Sequence, residues 1–143
     1  MLNGRACWTR VVGYDERVTL GKTILVVEDD AALRRMFITA LRGAGFTVHE
    51  APNGYEAIHS VEHQRPDLIV LDLLLPGFGG LGVQKEIADR AVTKHIPIVI
   101  VTGSTRALDH LSVACVLRKP VDPDELVATV RRCLDEPVPG HAG

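Results

Sequence analysis

Aromatic residues are scarce: Phe, Tyr and Trp make up 4% of the 143 residues, and none follows Phe78. Any device that needs a Phe, Tyr or Trp ring beyond Phe78 is therefore excluded. An excess of one charge is missing too. The 16 Lys+Arg nearly balance the 18 Asp+Glu, and no basic tract stands out; charge neither names nor excludes a partner, and no direct nucleic-acid contact is expected. No apolar run approaches the roughly 20 residues of a membrane span, and residues 1–20 lack the apolar centre of a signal peptide, so no membrane partner is expected. Cys7, Cys115 and Cys133 are an odd set without CxxC spacing, which fits a reduced, cytoplasmic chain. No G-x-x-x-x-G-K-[ST] or G-x-G-x-x-G follows a strand-like run, which argues against a nucleotide enzyme.

What is present is organised around the stretch from Arg65 to Gly80. The apolar run Leu68-Ile69-Val70-Leu71 suits a strand covered on both faces, as in a parallel sheet sandwiched by helices. Asp72 closes that run, ahead of Leu73-Leu74-Leu75-Pro76-Gly77. A charge cannot sit along such a strand, so Asp72 belongs at its end, where open α/β sheets place their chemistry.

The length suits one domain with a core. Residues 1–21 show no sustained period and read as a disordered extension; 22–136 form the domain and 137–143 a tail. Ile24–Val27 is a first strand, and Ala31–Ala44 carries Leu33, Phe37, Ala40 and Leu41 on one helical face. Phe46–Glu50 is a second strand. Asn53 and Glu56 form a capping box for a helix that stops before Pro66. After the Asp72 strand comes a helix from about Gly80 to Arg90, then a strand over Ile96–Thr102. Residues 105–111 allow at most about two turns of helix. Val113–Arg118 is a fifth strand, and Asp122-Pro123-Asp124-Glu125 starts a last helix. The alternation predicts a doubly wound parallel α/β fold with five strands.

Four strand ends carry polar groups: Glu28-Asp29, Asp72, Thr102-Gly103 and Lys119-Pro120. In this pattern the chain resembles, over about residues 22–136, the receiver domain of two-component response regulators. The resemblance implies the flavodoxin-like strand order 2-1-3-4-5. Neighbouring strands lie about 4.8 Å apart, so the short Thr102 reaches Asp72 from the adjacent strand, while the long Lys119 spans two spacings.

Glu28, Asp29 and Asp72 crowded together repel one another, and a hard divalent cation relieves that. The resemblance implies Mg²⁺ held directly by Asp29, Asp72 and the Leu74 carbonyl, and by Glu28 through water. It implies Asp72 as phosphoacceptor, with Thr102 and Lys119 steadying the transferred group. The donor would be a phosphohistidine on a sensor histidine kinase or histidine phosphotransfer protein, with an unidentified downstream protein reading the result. The chain would thus be a phosphoacceptor rather than an enzyme acting on others.

Two departures from the family stand out. Val116 occupies the place of the Tyr or Phe that usually reports the modification, and the span from Thr102 to Lys119 is short, so the fourth helix must be reduced. No effector sequence follows, so a stand-alone receiver is expected, or else a receiver cut from a longer protein. Its rival is a receiver-like protein-binding module whose output ignores phosphate. An aspartyl-phosphate phosphatase is disfavoured, because Leu74 stands where such enzymes carry a second Asp. Plainer readings remain beside these. Asp30 reads as a helix cap, Thr102 can be one, and Lys119 can be a solvated strand-end lysine. His59 and His63 lack a third ligand and read as surface histidines; Cys115 and Cys133 read as small apolar fillers.

Overall fold

A computed structural model describes residues 21–77, 79–90, 92–103, 108, 111 and 113–135. Strands β1 (Thr23–Val27), β2 (Thr47–Ala51), β3 (Leu68–Asp72), β4 (Ile98–Thr102) and β5 (Cys115–Arg118) form one parallel sheet in the order β2-β1-β3-β4-β5. That is the doubly wound, flavodoxin-like order anticipated. Helices α1 (Ala31–Gly43), α2 (Gly54–Gln64), α3 (Gly80–Asp89) and α4 (Pro123–Asp135) cover it.

Period-two alternation on the strands sorts the core into two layers. Leu68 and Val70 of β3 join Phe37 and Leu41 of α1 and Leu126 and Val130 of α4. Ile69 and Leu71 face the other way, with Ala57 and Val61 of α2 and Val83 and Ile87 of α3. Every residue of β3 is buried. Each large aliphatic side chain so covered contributes about 1.5–3 kcal/mol relative to exposure. β3 is thus a firmly held platform for a side chain at its end, as is β4, which is buried along its whole length too.

Local signals set the helix boundaries. The Asp30 carboxylate accepts the Leu33 N–H at 2.9 Å and starts α1. Asn53 Oδ1 accepts the Glu56 N–H at 2.9 Å and so caps α2, but Glu56 Oε2 accepts at 2.8 Å from the Asn53 side-chain amide rather than its backbone N–H. The Asp122 carboxylate accepts the Asp124 N–H at 2.7 Å. Three strands begin later than the apolar pattern predicts, because each leading amide is already used. Phe46 N–H donates to Leu41, Ile96 N–H to Thr93 and Val113 N–H to Leu111. The reduced helix anticipated between Thr102 and Lys119 falls outside the described residues apart from Leu108 and Leu111; residues 1–20 of the expected extension and the expected tail, 137–143, also lie outside them. No described helix is long and apolar enough to cross a membrane.

Candidate functional site

The sheet order reverses between β1 and β3, and in open α/β sheets the crevice at such a point is where ligands bind. Asp72 ends β3 there, 2% exposed. Its Oδ1 accepts the Leu74 N–H at 3.0 Å, and its Oδ2 lies 3.2 Å from Lys119 Nζ. Glu28 follows β1 and is 1% exposed. Its Oε2 accepts the Asp30 N–H at 3.2 Å. Its Oε1 lies 3.2 Å from Lys119 Nζ, close enough for an ion pair but off the hydrogen-bond direction. That buried oxygen has no hydrogen-bond partner among the described residues.

Lys119 is therefore an inward-facing cation between two buried carboxylates, and the solvated-lysine reading is wrong. Its N–H donates to the Thr102 carbonyl at 2.8 Å, and the Lys119–Pro120 bond is cis. Thr102 is wholly buried at the end of β4, next to β3. Asp29 is exposed, yet one oxygen each from Glu28, Asp29 and Asp72 lies within 4.8 Å of the others. Asp30 takes no place in this group and caps α1, as expected. The Leu74 side chain is 64% exposed beside it.

The electrostatics follow from burial and crowding. Burial, with the charge of Asp72 added, pushes the Glu28 carboxyl up to about 7, against the pull of the Asp30 N–H and Lys119. Burial alone would lower the Lys119 ammonium, but Asp72 and Glu28 outweigh it and hold it above the usual lysine value. Three hard oxygen donors, one of them lacking a hydrogen-bond partner, suit a divalent cation of the Mg²⁺ type.

A raised Glu28 has a consequence for stability without metal. The folded chain holds this proton more tightly than the unfolded chain, whose carboxyl stays near 4.5. The contribution is full below that value and is lost as pH rises through about 7. Urea unfolding in chelator should show Glu28→Gln gaining on the native chain by on the order of 2 kcal/mol between about pH 5 and pH 8. A difference that stays flat across that range would contradict the assignment.

Two contributors escaped the sequence reading. Gly80 opens α3 with its N–H on the Leu73 carbonyl at 3.1 Å, and its Cα faces the Asp72 and Leu73 backbone without room for a side chain. The Gly79-Gly80 pair was the available signal. Arg34 on α1 donates from Nη1 to the Glu28 carbonyl and from Nε to Glu50 Oε1, each at 2.8 Å. Nothing in its position as one of several exposed-looking arginines marked it.

The other residues singled out keep their plainer roles. His59 and His63 rings stack at 4.1 Å on the exposed side of α2, and no third ligand joins them among the described residues. Cys133 is buried in the α4 face of the core, and Cys115 is half-buried against Arg132. Val116 packs half-buried against the layer under α2 and α3.

The family model for the response regulator receiver domain matches residues 24–131. The DNA-binding response regulator MtrA of Mycobacterium tuberculosis is 40% identical over 129 residues, 83% of this chain and 55% of MtrA. The chain thus spans about half the length of the curated relatives it matches. MtrA is DNA-binding by name, so the expectation of no direct nucleic-acid contact has no support from the relatives. Among solved structures, chemotaxis response regulator CheY4 of Vibrio cholerae superposes with a TM-score of 0.74 at 28% identity, covering 80% of this chain and 99% of that one. The receiver domain of sensor histidine kinase PA1611 from Pseudomonas aeruginosa, with a magnesium ion in its active-site cleft, gives 0.75 at 28% identity over 81% of this chain and 99% of that one. Sheet order, acidic crevice and sequence agree: this chain belongs to the receiver domains of two-component response regulators.

Proposed function

We propose that this receiver domain accepts a phosphoryl group on Asp72, supported above all by the Lys119 ammonium lying 3.2 Å from the carboxylates of both Asp72 and Glu28. An Asp72 oxygen attacks the phosphorus of a phosphohistidine, the P–N bond breaks, and an acyl phosphate forms. Such a transfer needs alignment and charge neutralisation more than covalent help. Lys119 supplies a fixed positive charge on one side, and the Leu74 N–H holds Asp72 Oδ1 in place. Thr102, one strand away, donates its hydroxyl to a phosphoryl oxygen.

The residues fit Mg²⁺: Asp29, Asp72 and the Leu74 carbonyl as direct ligands, Glu28 through water. When bound, the ion would supply further charge neutralisation beside Asp72. The chain takes up the group itself and is not an enzyme acting on other substrates. Its donor is a sensor histidine kinase or histidine phosphotransfer protein.

A second reading, a binding module whose output ignores phosphate, is favoured by one observation. Val116 leaves no ring to report the event. Intact mass after incubation with acetyl phosphate separates the two. The native chain should gain one phosphate with Mg²⁺ and none with chelator, and Asp72→Ala should gain none. No adduct on the native chain would end the phosphoacceptor reading in favour of the module.

A further inference from the structure

We infer that Arg34 is a positioning residue for cation binding at the acidic crevice, acting through the peptide unit that joins Glu28 to Asp29. The inference rests on the cation-assisted part of the proposal above.

The acidic turn leaves β1 and enters α1 within three residues, Glu28, Asp29 and Asp30. Its ends are tied by the main chain. Glu28 N–H donates to the Ala51 carbonyl at 3.2 Å, and Arg34 N–H donates to the Asp30 carbonyl at 2.8 Å. Between those ties, the Glu28 carbonyl is free to rotate unless something holds it. Arg34 Nη1 holds it at 2.8 Å, while Nε is anchored on Glu50 Oε1 at 2.8 Å.

The guanidinium side chain is only 17% exposed, so this clamp is partly shielded from water. A planar fork can serve two acceptors in fixed directions at once; an ammonium on a flexible stem cannot do so in the same geometry.

The consequence falls on Asp29. The Glu28 carbonyl and the Asp29 N–H share one peptide plane, so fixing the carbonyl fixes the direction in which Asp29 leaves the turn. The exposed Asp29 carboxylate has no hydrogen bond of its own among the described residues. Its approach to Glu28 and Asp72 is therefore set by the backbone, against the mutual repulsion of three carboxylates. Arg34 supplies the restraint, and its charge behind the turn eases the repulsion. Partners of this kind, outside the ligands themselves, commonly carry about 10–100-fold of metal affinity.

Calorimetric titration with Mg²⁺ reads this directly, alongside the acetyl phosphate rate as a function of Mg²⁺. Arg34→Met should bind Mg²⁺ about tenfold more weakly. Its phosphorylation rate at saturating Mg²⁺ should stay within about twofold of the native value, because no group touching the phosphoryl is lost. Arg34→Lys should recover part of the affinity. Arg35→Met removes the same charge one residue along the exposed side of α1 and should change neither quantity.

Unchanged Mg²⁺ affinity in Arg34→Met, an equal loss in Arg35→Met, or a native chain that binds no Mg²⁺ would each overturn the inference. Should Arg34→Met fail to fold, Glu50→Ala, which removes the outer acceptor of Arg34 Nε, carries the test: weaker binding is expected, and native affinity sinks the idea. Mg²⁺ binding without any phosphate adduct on the native chain would refute the phosphoacceptor reading and leave the role of Arg34 standing.

Discussion

Lys119→Met should slow phosphorylation of Asp72 by acetyl phosphate by about 10²–10³-fold while Mg²⁺ binds as well as before or better. Methionine keeps most of the length of lysine and removes the charge. In the native chain that charge sits 3.2 Å from both Asp72 and Glu28, with those carboxylates 2% and 1% exposed. It faces the place where phosphoryl charge would gather, and nothing else described brings a cation between the two carboxylates. A divalent ion held by Asp29 and Asp72 would be repelled by the nearby ammonium, so removing the ammonium takes away a repulsion. The two effects run in opposite directions, which a merely misfolded variant cannot reproduce.

Stability adds a third readout. Removing one partner of a buried ion pair usually costs about 3–5 kcal/mol. Here the cost should be smaller below about pH 7, where Glu28 takes up a proton, and larger above it. Time courses by intact mass and titrations by calorimetry measure the first two effects. A rate within about threefold of native would remove Lys119 from the reaction.

Gly80→Ala should destabilise the domain by about 3 kcal/mol or more. A Cβ on Gly80 would overlap the Asp72 carbonyl oxygen and the Leu73 Cα. These are backbone atoms, at the end of a strand buried along its whole length, so no side chain can swing aside. Either α3 moves away from the sheet or the end of β3 shifts and carries Asp72 with it. Any folded fraction should therefore also phosphorylate poorly.

Gly43→Ala gives the contrast. That glycine lies in the last turn of α1 with open space around it, and alanine there should stabilise by about 0.5–1 kcal/mol through helix propensity. Urea unfolding of the two variants decides the matter; equal, small changes would show that the close approach at Gly80 is not rigid.

Much of this architecture is legible in the sequence for local reasons. Asp30, Asn53 and Asp122 cap helices within three residues of themselves, so their roles need no tertiary information. The apolar run ending in Asp72 specifies a doubly covered strand because a charge tolerates only its end. Strand starts were misplaced by one or two residues where the leading amide was already used by a turn, as at Phe46 and Ile96, a competition that apolar pattern does not register.

By itself, then, the sequence determined the alternation of strands and helices, the end of the strand that presents Asp72, and the polar residue types at the four strand ends. Burial and capping act over short spacings and leave their pattern in the chain. Only the tertiary structure decided that Lys119 turns inward between two buried carboxylates, that Glu28 is left with an oxygen short of a hydrogen bond, that Arg34 clamps the peptide before Asp29, and that Gly80 has no room for a methyl group. Each of these depends on groups from separate elements meeting at one edge of the sheet. Distances between such groups are set by strand order and register, which no single segment encodes.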